Sequence, residues 1–297
     1  MAAAGILGGA ALVGVGMTRD TGGSVLAGTF ADRPSSAPSP AAAPSPTGPS
    51  PEELRKLARA KHVKALNAAL KKYAATAPEF SVAVYDRKTG DKYAYRGTEK
   101  YETASVVKVQ VLACLLLTAQ DDDRELSANE LSLAKRMIRA SDNNATTALF
   151  GRLGRYSGIT ACNQRLGLTQ TRVSSSWGLT RTTVDDQVRL LNELVDRKGP
   201  LDAGSRELAF QLMSTVQTDQ DWGVPAVAGK GERFTVKNGW LARSTEGGRW
   251  IINSVGRVTG PDTDVSIAVL SHGNGTMSGG IAVVEKVAAM TRKQLEY

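Results

Sequence analysis

The first segment that could carry chemistry is Ser105-Val106-Val107-Lys108. A hydroxyl and an amine three residues apart lie on one face of a helix. The residues that follow Ser105 (VVKVQVLACLLL) are apolar almost throughout, which predicts a buried helix. A lysine desolvated by such neighbours has a lowered pKa and can take the proton of a serine hydroxyl. Alone, the pattern also fits a helix cap followed by a lysine that extends to solvent.

Two more polar segments follow along the chain. Residues 141–143 (Ser-Asp-Asn) come directly after the amphipathic stretch LAKRMIRA, where these residue types would also simply end a helix. Residues 237–239 (Lys-Asn-Gly) lie within FTVKNGW. They fit either an Asn-Gly hairpin turn or a strand that continues through them.

Taken in this order, the three segments resemble the Ser-x-x-Lys, Ser-Asp-Asn and Lys-Thr-Gly signatures of class A β-lactamases and penicillin-binding proteins. The neighbouring stretches MIRASDNNATTALF and RTTVDDQVRLL are also similar to segments of that family, and the resemblance covers roughly residues 54–295. It implies an α/β fold, specifically an α+β three-layer sandwich. An antiparallel sheet would be flanked by helices and joined to an all-helical lobe.

The resemblance also implies catalytic roles for four side chains. Ser105 would attack a carbonyl and form an acyl-enzyme, with Lys108 as the proton acceptor. Ser141 would relay a proton to the leaving nitrogen. Asn143 would hold the lysine and the amide of the substrate.

By the same resemblance, residues of the third segment would bind substrate. Lys237 would place positive charge near a substrate carboxylate. Asn238 stands where the family has Thr or Ser and could donate a hydrogen bond, and Gly239 completes the segment. The backbone N–H groups of Ser105 and Leu241 would stabilise the oxyanion.

The sequence departs from the family pattern in two places. Ser105 and Ser141 are only 36 residues apart, so the helical lobe should be trimmed. The stretch equivalent to the omega loop, residues 166–183, contains no Glu and no Asp, so the usual base for deacylation is missing. We therefore expect an efficient β-lactamase to be disfavoured, whereas penicillin-binding or D-alanyl-D-alanine peptidase activity survives. Trp177 and Trp222 are expected to pack the loop and the rim of the cleft rather than to stack on a substrate.

Periodicity predicts the elements that position these segments. Strands near both ends of the chain, around a helical middle, favour one antiparallel sheet built from both ends. Helices are predicted from 51 to about 76, after Ser105, within 127–152, 183–197 and 204–217, and from about 279 to 295; strands are predicted within 80–96, 233–242, 249–258 and 265–273. Three domains are predicted: a signal-like or anchor segment (1–32), a Pro/Ser-rich linker (33–52) and a β-lactamase-like domain (53–297). Within the last domain, residues 53–104 and 218–297 should form an α/β lobe, and residues from about 105 to 217 should form a helical lobe.

Composition limits the partners and the compartment. The net charge is +8, but the sequence has no basic stripe interleaved with aromatic residues and no zinc-type spacing. These are features of nucleic-acid-binding proteins, so no nucleic acid is expected as a partner. The partner should be a small-molecule or peptide substrate, namely a β-lactam or a peptidoglycan stem peptide. No metal or organic cofactor is implied. The apolar start of the chain and the linker favour a secreted or membrane-tethered protein outside the cytoplasm.

Some alternatives stay open at this level. Cys114 lies in an apolar helical run, which favours buried, unpaired thiols over a disulfide with Cys162. The absence of Glu and Asp from residues 166–183, and Asn238 in place of the family's Thr or Ser, also fit a non-catalytic module that binds β-lactams or cell wall. The same fold could instead hydrolyse or transfer an unrelated small ester or amide.

Overall fold

The central sheet takes its strands from both ends of the chain, as predicted. The computed structural model describes residues 48–297. Five strands run in the order β2-β1-β7-β6-β5, and every neighbouring pair is antiparallel. They are β1 (Glu79–Asp86), β2 (Lys92–Tyr95), β5 (Arg233–Arg243), β6 (Arg249–Thr259) and β7 (Asp264–Asn274). A second sheet contains β3 (Tyr101–Glu102) and β4 (Arg181–Thr182).

Alternating apolar residues make the large sheet apolar on both faces. In β7, Val265, Ile267 and Val269 belong to one hydrophobic core, and Ala268 and Leu270 belong to another. Side chains of a strand point alternately to opposite faces, so the two cores lie on the two sides of the sheet. A sheet that is apolar on both faces must be covered by helices on both faces.

Eight α-helices of the described part of the chain provide that cover. They are α1 (Pro51–Ala74), α2 (Val107–Asp121), α3 (Ala128–Arg139), α4 (Asn143–Arg152), α5 (Arg155–Arg165), α6 (Val184–Glu193), α7 (Ala203–Met213) and α8 (Met277–Leu295). Helices α1 and α8 contribute to the core on one face, and α2 to α7 contribute to the core on the other. The predicted three-layer α+β arrangement is therefore confirmed.

The helix that follows Ser105 is the most deeply buried element. Almost every residue of α2 is buried, including Lys108 and Gln110. The stretch Ala104–Asp121 is long and apolar enough to cross a membrane, but 78% of it is buried inside the protein. It is the core helix of the larger hydrophobic cluster, and the neighbouring helices pack around it.

Two cysteines correct a sequence-based expectation. Cys114 and Cys162 form a disulfide, although the apolar setting of Cys114 favoured unpaired thiols. Helix α5 lays Cys162 against α2, which brings the two Cα atoms to 5.8 Å, within the range for a disulfide. The pairing depends on how α5 packs, and α5 is a helix that the periodicity of the sequence did not predict.

The other differences concern helix ends. The region 127–152 contains two helices, α3 and α4, which are separated by residues 140–142. Helix α5 was not predicted, because it buries only Ile159, Cys162 and Asn163, which are too few to form a clear apolar stripe in the sequence. The predicted anchor segment and most of the linker lie outside the described residues. Pro49–Tyr297 forms one compact unit, and its division into two lobes stays a prediction.

Candidate active site

Ser105 lies at the junction between the sheet and the buried helix. A short 3-10 turn, Ala104–Val106, leads directly into α2. Ala104 has a φ of 45°, in the left-handed region that non-glycine residues rarely adopt. Such backbone strain is concentrated at functional sites, where the surrounding structure holds it in place. Here the strained residue directly precedes the half-buried Ser105.

Lys108 lies one helical turn after Ser105 and is completely buried. Its Nζ is 2.9 Å from Ser105 Oγ, 3.0 Å from Ser141 Oγ and 2.9 Å from Asn143 Oδ1. The backbone carbonyl oxygen of Ser141 is 2.7 Å away. The structure thus brings the other three predicted catalytic side chains, those of Ser105, Ser141 and Asn143, together around the amine of Lys108.

The environment of Lys108 favours the neutral amine. Burial lowers the pKa of Lys108 to about 7, and the negative charge of Asp142 opposes this shift only in part. A neutral amine has two N–H groups and one lone pair. The carbonyl oxygen of Ser141 and Asn143 Oδ1 can only accept, so they take the two N–H groups. The lone pair is left to accept a hydroxyl proton from Ser105 or from Ser141, whose Oγ atoms lie 2.9 and 3.0 Å away.

Ser141 and Asn143 are positioned by the turn between α3 and α4. Ser141 adopts a left-handed φ of 54°, and Asp142 caps α4 by accepting a hydrogen bond from Ala145 N at 2.9 Å. Arg136 Nε donates to the same carboxylate at 2.8 Å. The segment therefore ends one helix and begins the next, and the same backbone reversal turns the Ser141 carbonyl toward Lys108.

Lys237 is the second buried lysine of this region. Burial, and then the positive charge of Lys108, hold the pKa of Lys237 well below its ordinary value. Its Nζ donates to the backbone oxygen of Asn238 at 2.9 Å and to Gln220 Oε1 at 3.4 Å. No carboxylate of the described residues pairs with it. The lysine expected near a substrate carboxylate is thus enclosed by protein groups.

Asn238 fastens a loop to the sheet. Its Nδ2 donates at 2.9 Å to the backbone oxygens of Gln220 and of Trp222. The side chain is 1% exposed, and its Oδ1 has no hydrogen-bond partner among the described residues. Both amide hydrogens are engaged within the protein, so they are not free for a substrate. The strand β5 continues through residues 237–239, which settles the alternative between strand and turn.

The other two substrate-binding candidates lie on the same strand. Strand β5 is at the edge of the sheet, so the backbone N–H and C=O groups on its outer side form no hydrogen bonds with β6. Gly239 lies so close to the serine turn that a Cβ there would be 2.8 Å from Ser105 N. Leu241 lines a cavity together with Ser105. The edge of β5 and the start of α2 therefore meet where an oxyanion would need N–H donors.

The cavity beside Ser105 has a volume of about 510 Å³ and is open to solvent. Asn143 lines it, whereas Lys237 does not. The remaining lining residues are mostly aromatic, hydroxyl-bearing or cationic, with one aliphatic leucine, and they include Thr147, Phe150, Arg155, Ser175, Ser176, Trp177, Leu179, Trp240 and Arg243. No carboxylate is among these residues, so the cavity suits a ligand with apolar surface and negative charge.

Trp177 and Arg155 were not predicted as site residues. Trp177 was expected only to pack at the rim, yet its ring centroid lies 5.1 Å from Lys108 Nζ. Arg155 begins α5, which the sequence pattern did not reveal. A lone tryptophan in a polar loop can indicate a functional residue, but the local sequence does not show that its ring faces Lys108. Within residues 48–297, no cluster of His, Cys, Asp or Glu could hold a metal ion.

The chain belongs to the beta-lactamase enzyme family, whose model matches residues 61–131 and 125–295. Solved class A β-lactamases share the fold. The ancestral enzyme reconstructed for the last common ancestor of Gram-negative bacteria is 21% identical, with a TM-score of 0.66 over 77% of this chain and 99% of that one. A β-lactamase from Xanthomonas campestris is 18% identical, with a TM-score of 0.67 over 78% and 97%.

A curated relative comes from Mycobacterium tuberculosis strain H37Rv and is named "Putative lipoprotein LppW". It is 30% identical over 197 residues, which are 64% of this chain and 62% of the relative. The matching region thus spans less than two thirds of that protein. Its name describes a lipoprotein and states no reaction.

Proposed function

We propose that this protein is a serine acyl-transfer hydrolase of the β-lactamase and penicillin-binding type. One observation carries the proposal: Lys108 Nζ lies within 3.0 Å of Ser105 Oγ, Ser141 Oγ and Asn143 Oδ1 in a buried setting. A nucleophile needs an adjacent base that is neutral near the working pH. The lowered pKa of Lys108, about 7, meets that need.

The acylation step follows from these contacts. Ser105 Oγ attacks the carbonyl carbon of a β-lactam or a D-Ala-D-Ala-like amide while its proton passes to Lys108. The backbone N–H groups of Ser105 and Leu241 stabilise the oxyanion. As the C–N bond breaks, Ser141 passes a proton from Lys108 to the leaving nitrogen. The product is an ester between Ser105 and the acyl group, with Lys108 neutral again.

Hydrolysis of that ester is the slow step. Residues 166–183 contain no Glu or Asp to activate water. The protein should therefore accumulate the acyl-enzyme, as a penicillin-binding protein does, rather than destroy β-lactams rapidly. A tethered position outside the cytoplasm is the proposed setting. The Cys114–Cys162 disulfide and the lipoprotein relative both support it.

A second candidate is hydrolysis of a small ester that carries no carboxylate. Lys237, the residue expected to bind a substrate carboxylate, is enclosed by protein groups and does not line the cavity. This favours a substrate without a carboxylate. Turnover of a chromogenic ester without labelling by penicillin would support this candidate.

Intact-mass spectrometry after incubation with a penicillin tests the main proposal. We expect wild type to gain the mass of one β-lactam, and Ser105→Ala to gain none. An adduct that persists for hours would establish slow deacylation. Wild type without an adduct, and without loss of penicillin, would refute the β-lactam assignment.

A further inference from the structure

Trp177 covers the amine of Lys108. Its ring centroid is 5.1 Å from Nζ, and the half-buried ring lines the cavity that contains Ser105. Its Nε1 donates to Thr147 Oγ1 at 3.2 Å, which fixes the rotation of the indole against α4. The face of the ring keeps that side of the amine apolar.

The loop that carries Trp177 is tied down at both ends. Arg172 and Arg181 exchange two backbone hydrogen bonds of 2.7 and 2.9 Å, which closes the loop at its base. Thr180 O accepts from Thr103 N at 2.8 Å, two residues before the nucleophile, and Thr180 Oγ1 accepts from Ser174 N at 3.1 Å. The ring is therefore held in place by the backbone segment that also positions Ser105.

Around Lys108 Nζ, little space remains for a water molecule. Protein oxygens from Ser105, Ser141 and Asn143 already lie within hydrogen-bond distance. The indole of Trp177 covers a further side. Water that is to be activated by an amine must lie about 3 Å from it and within reach of the acyl carbon. The ring occupies the cavity side, from which such a water would approach.

We propose that Trp177 excludes the hydrolytic water from Lys108 and thereby sets the lifetime of the acyl-enzyme. This inference rests on the proposed function. Without the ring, a water proton passes to Lys108 as the water oxygen bonds to the acyl carbon. The C–Oγ bond then breaks, and Lys108 returns the proton to Ser105 Oγ. Trp177 is a positioning residue, since it acts through the access of water to another group.

The test compares Trp177→Leu, Trp177→Phe and a control, Trp250→Leu. Trp250 is also half-buried, but it lies on β6 and does not line the cavity. Each protein is acylated with penicillin, freed of excess ligand, and followed by intact mass. We expect the adduct to decay at least about 100-fold faster in Trp177→Leu, which is the lower end of the range for adding a general base. Trp177→Phe and the control should decay close to the wild-type rate.

Two further readouts separate water access from loss of structure. The decay rate of Trp177→Leu should rise with pH through about 7, where Lys108 becomes neutral, and wild type should lack this rise. If Trp177→Leu does not fold, Thr147→Val releases the indole hydrogen bond and should accelerate decay to a smaller extent. Equal decay in wild type and a folded variant overturns this inference alone. No adduct on wild type overturns the proposed function and the inference with it.

Discussion

Gly239 lies directly against the backbone of Ser105: a Cβ at position 239 would be 2.8 Å from Ser105 N and 2.9 Å from Val106 N. Backbone atoms cannot move aside as flexible side chains do, so Gly239→Ala must displace β5 from the serine turn. A misplacement of about 1 Å lowers rates by about 100-fold. We expect acylation of Ser105 by penicillin to fall by that factor.

The matched control is Gly151→Ala, on α4, where an added Cβ meets nothing within 4 Å. Circular dichroism of both variants shows whether the fold is retained. Unchanged acylation in Gly239→Ala would mean that β5 does not form part of the oxyanion site.

Acylation should depend on the protonation of Lys108. Its pKa of about 7 lies below the ordinary value of a lysine, so the amine is charged, and unable to take a proton, below that pH. The acylation rate, measured from pH 5.5 to 9, should rise about tenfold per pH unit below 7 and level off above about 8. Lys108→Arg, which stays charged, should lower the rate by about 1,000-fold and abolish the rise. A flat profile in wild type would contradict Lys108 as the base.

Replacing Asn238 by the family's usual threonine should harm stability. Its two N–H groups satisfy buried backbone oxygens of Gln220 and Trp222. A threonine cannot supply both donors, and an unsatisfied buried acceptor costs about 1–3 kcal/mol. Urea unfolding should show that Asn238→Thr lowers the free energy of unfolding by about 2–3 kcal/mol. A variant as stable as wild type would show that the loop does not depend on Asn238.

Arg155 should select acyl groups with negative charge. It lines the cavity and is exposed, and it has no ion pair among the described residues, whereas Arg243 is paired with Glu102 at 3.0 Å. An exposed charge pair contributes up to about 1 kcal/mol, or about fivefold in rate. Arg155→Ala should slow acylation by a penicillin with a side-chain carboxylate by that factor and leave an uncharged analogue unaffected. Arg152→Ala, outside the cavity lining, is the control.

The disulfide should contribute strongly to stability. Cys114 and Cys162 are 48 residues apart, and closing a loop of that length stabilises a fold by about 4 kcal/mol in the chain-entropy model. The double variant Cys114→Ala/Cys162→Ala should unfold at a clearly lower temperature than wild type, with the reduced wild type close to the variant. Equal melting temperatures with and without reductant would show that the link is dispensable.

Much of the fold follows from local patterns in the sequence. A capping box of Ser50 and Glu53 starts α1, and the apolar runs of β7 and α2 define a strand and the core helix. A helix places Ser105 and Lys108 on one face, and the order of the motifs predicts that Ser141 and Asn143 join them. The remaining features depend on tertiary packing. The pairing of Cys162, the ring of Trp177 over Lys108 and the amide of Asn238 on a distant loop all join segments whose contact no local pattern encodes.

The strand order also has a consequence for biosynthesis. The ribosome delivers β1 and β2 early, but these two strands alone form only a hairpin, which is marginally stable in water. The long partner of β1 is β7, and the edge that faces Ser105 is β5, so both arrive with the last part of the chain. Nascent chains therefore cannot close the sheet before synthesis is nearly complete. Truncation before β7 would leave two separate hairpins, β1-β2 and β5-β6, without the strand that joins them into one sheet.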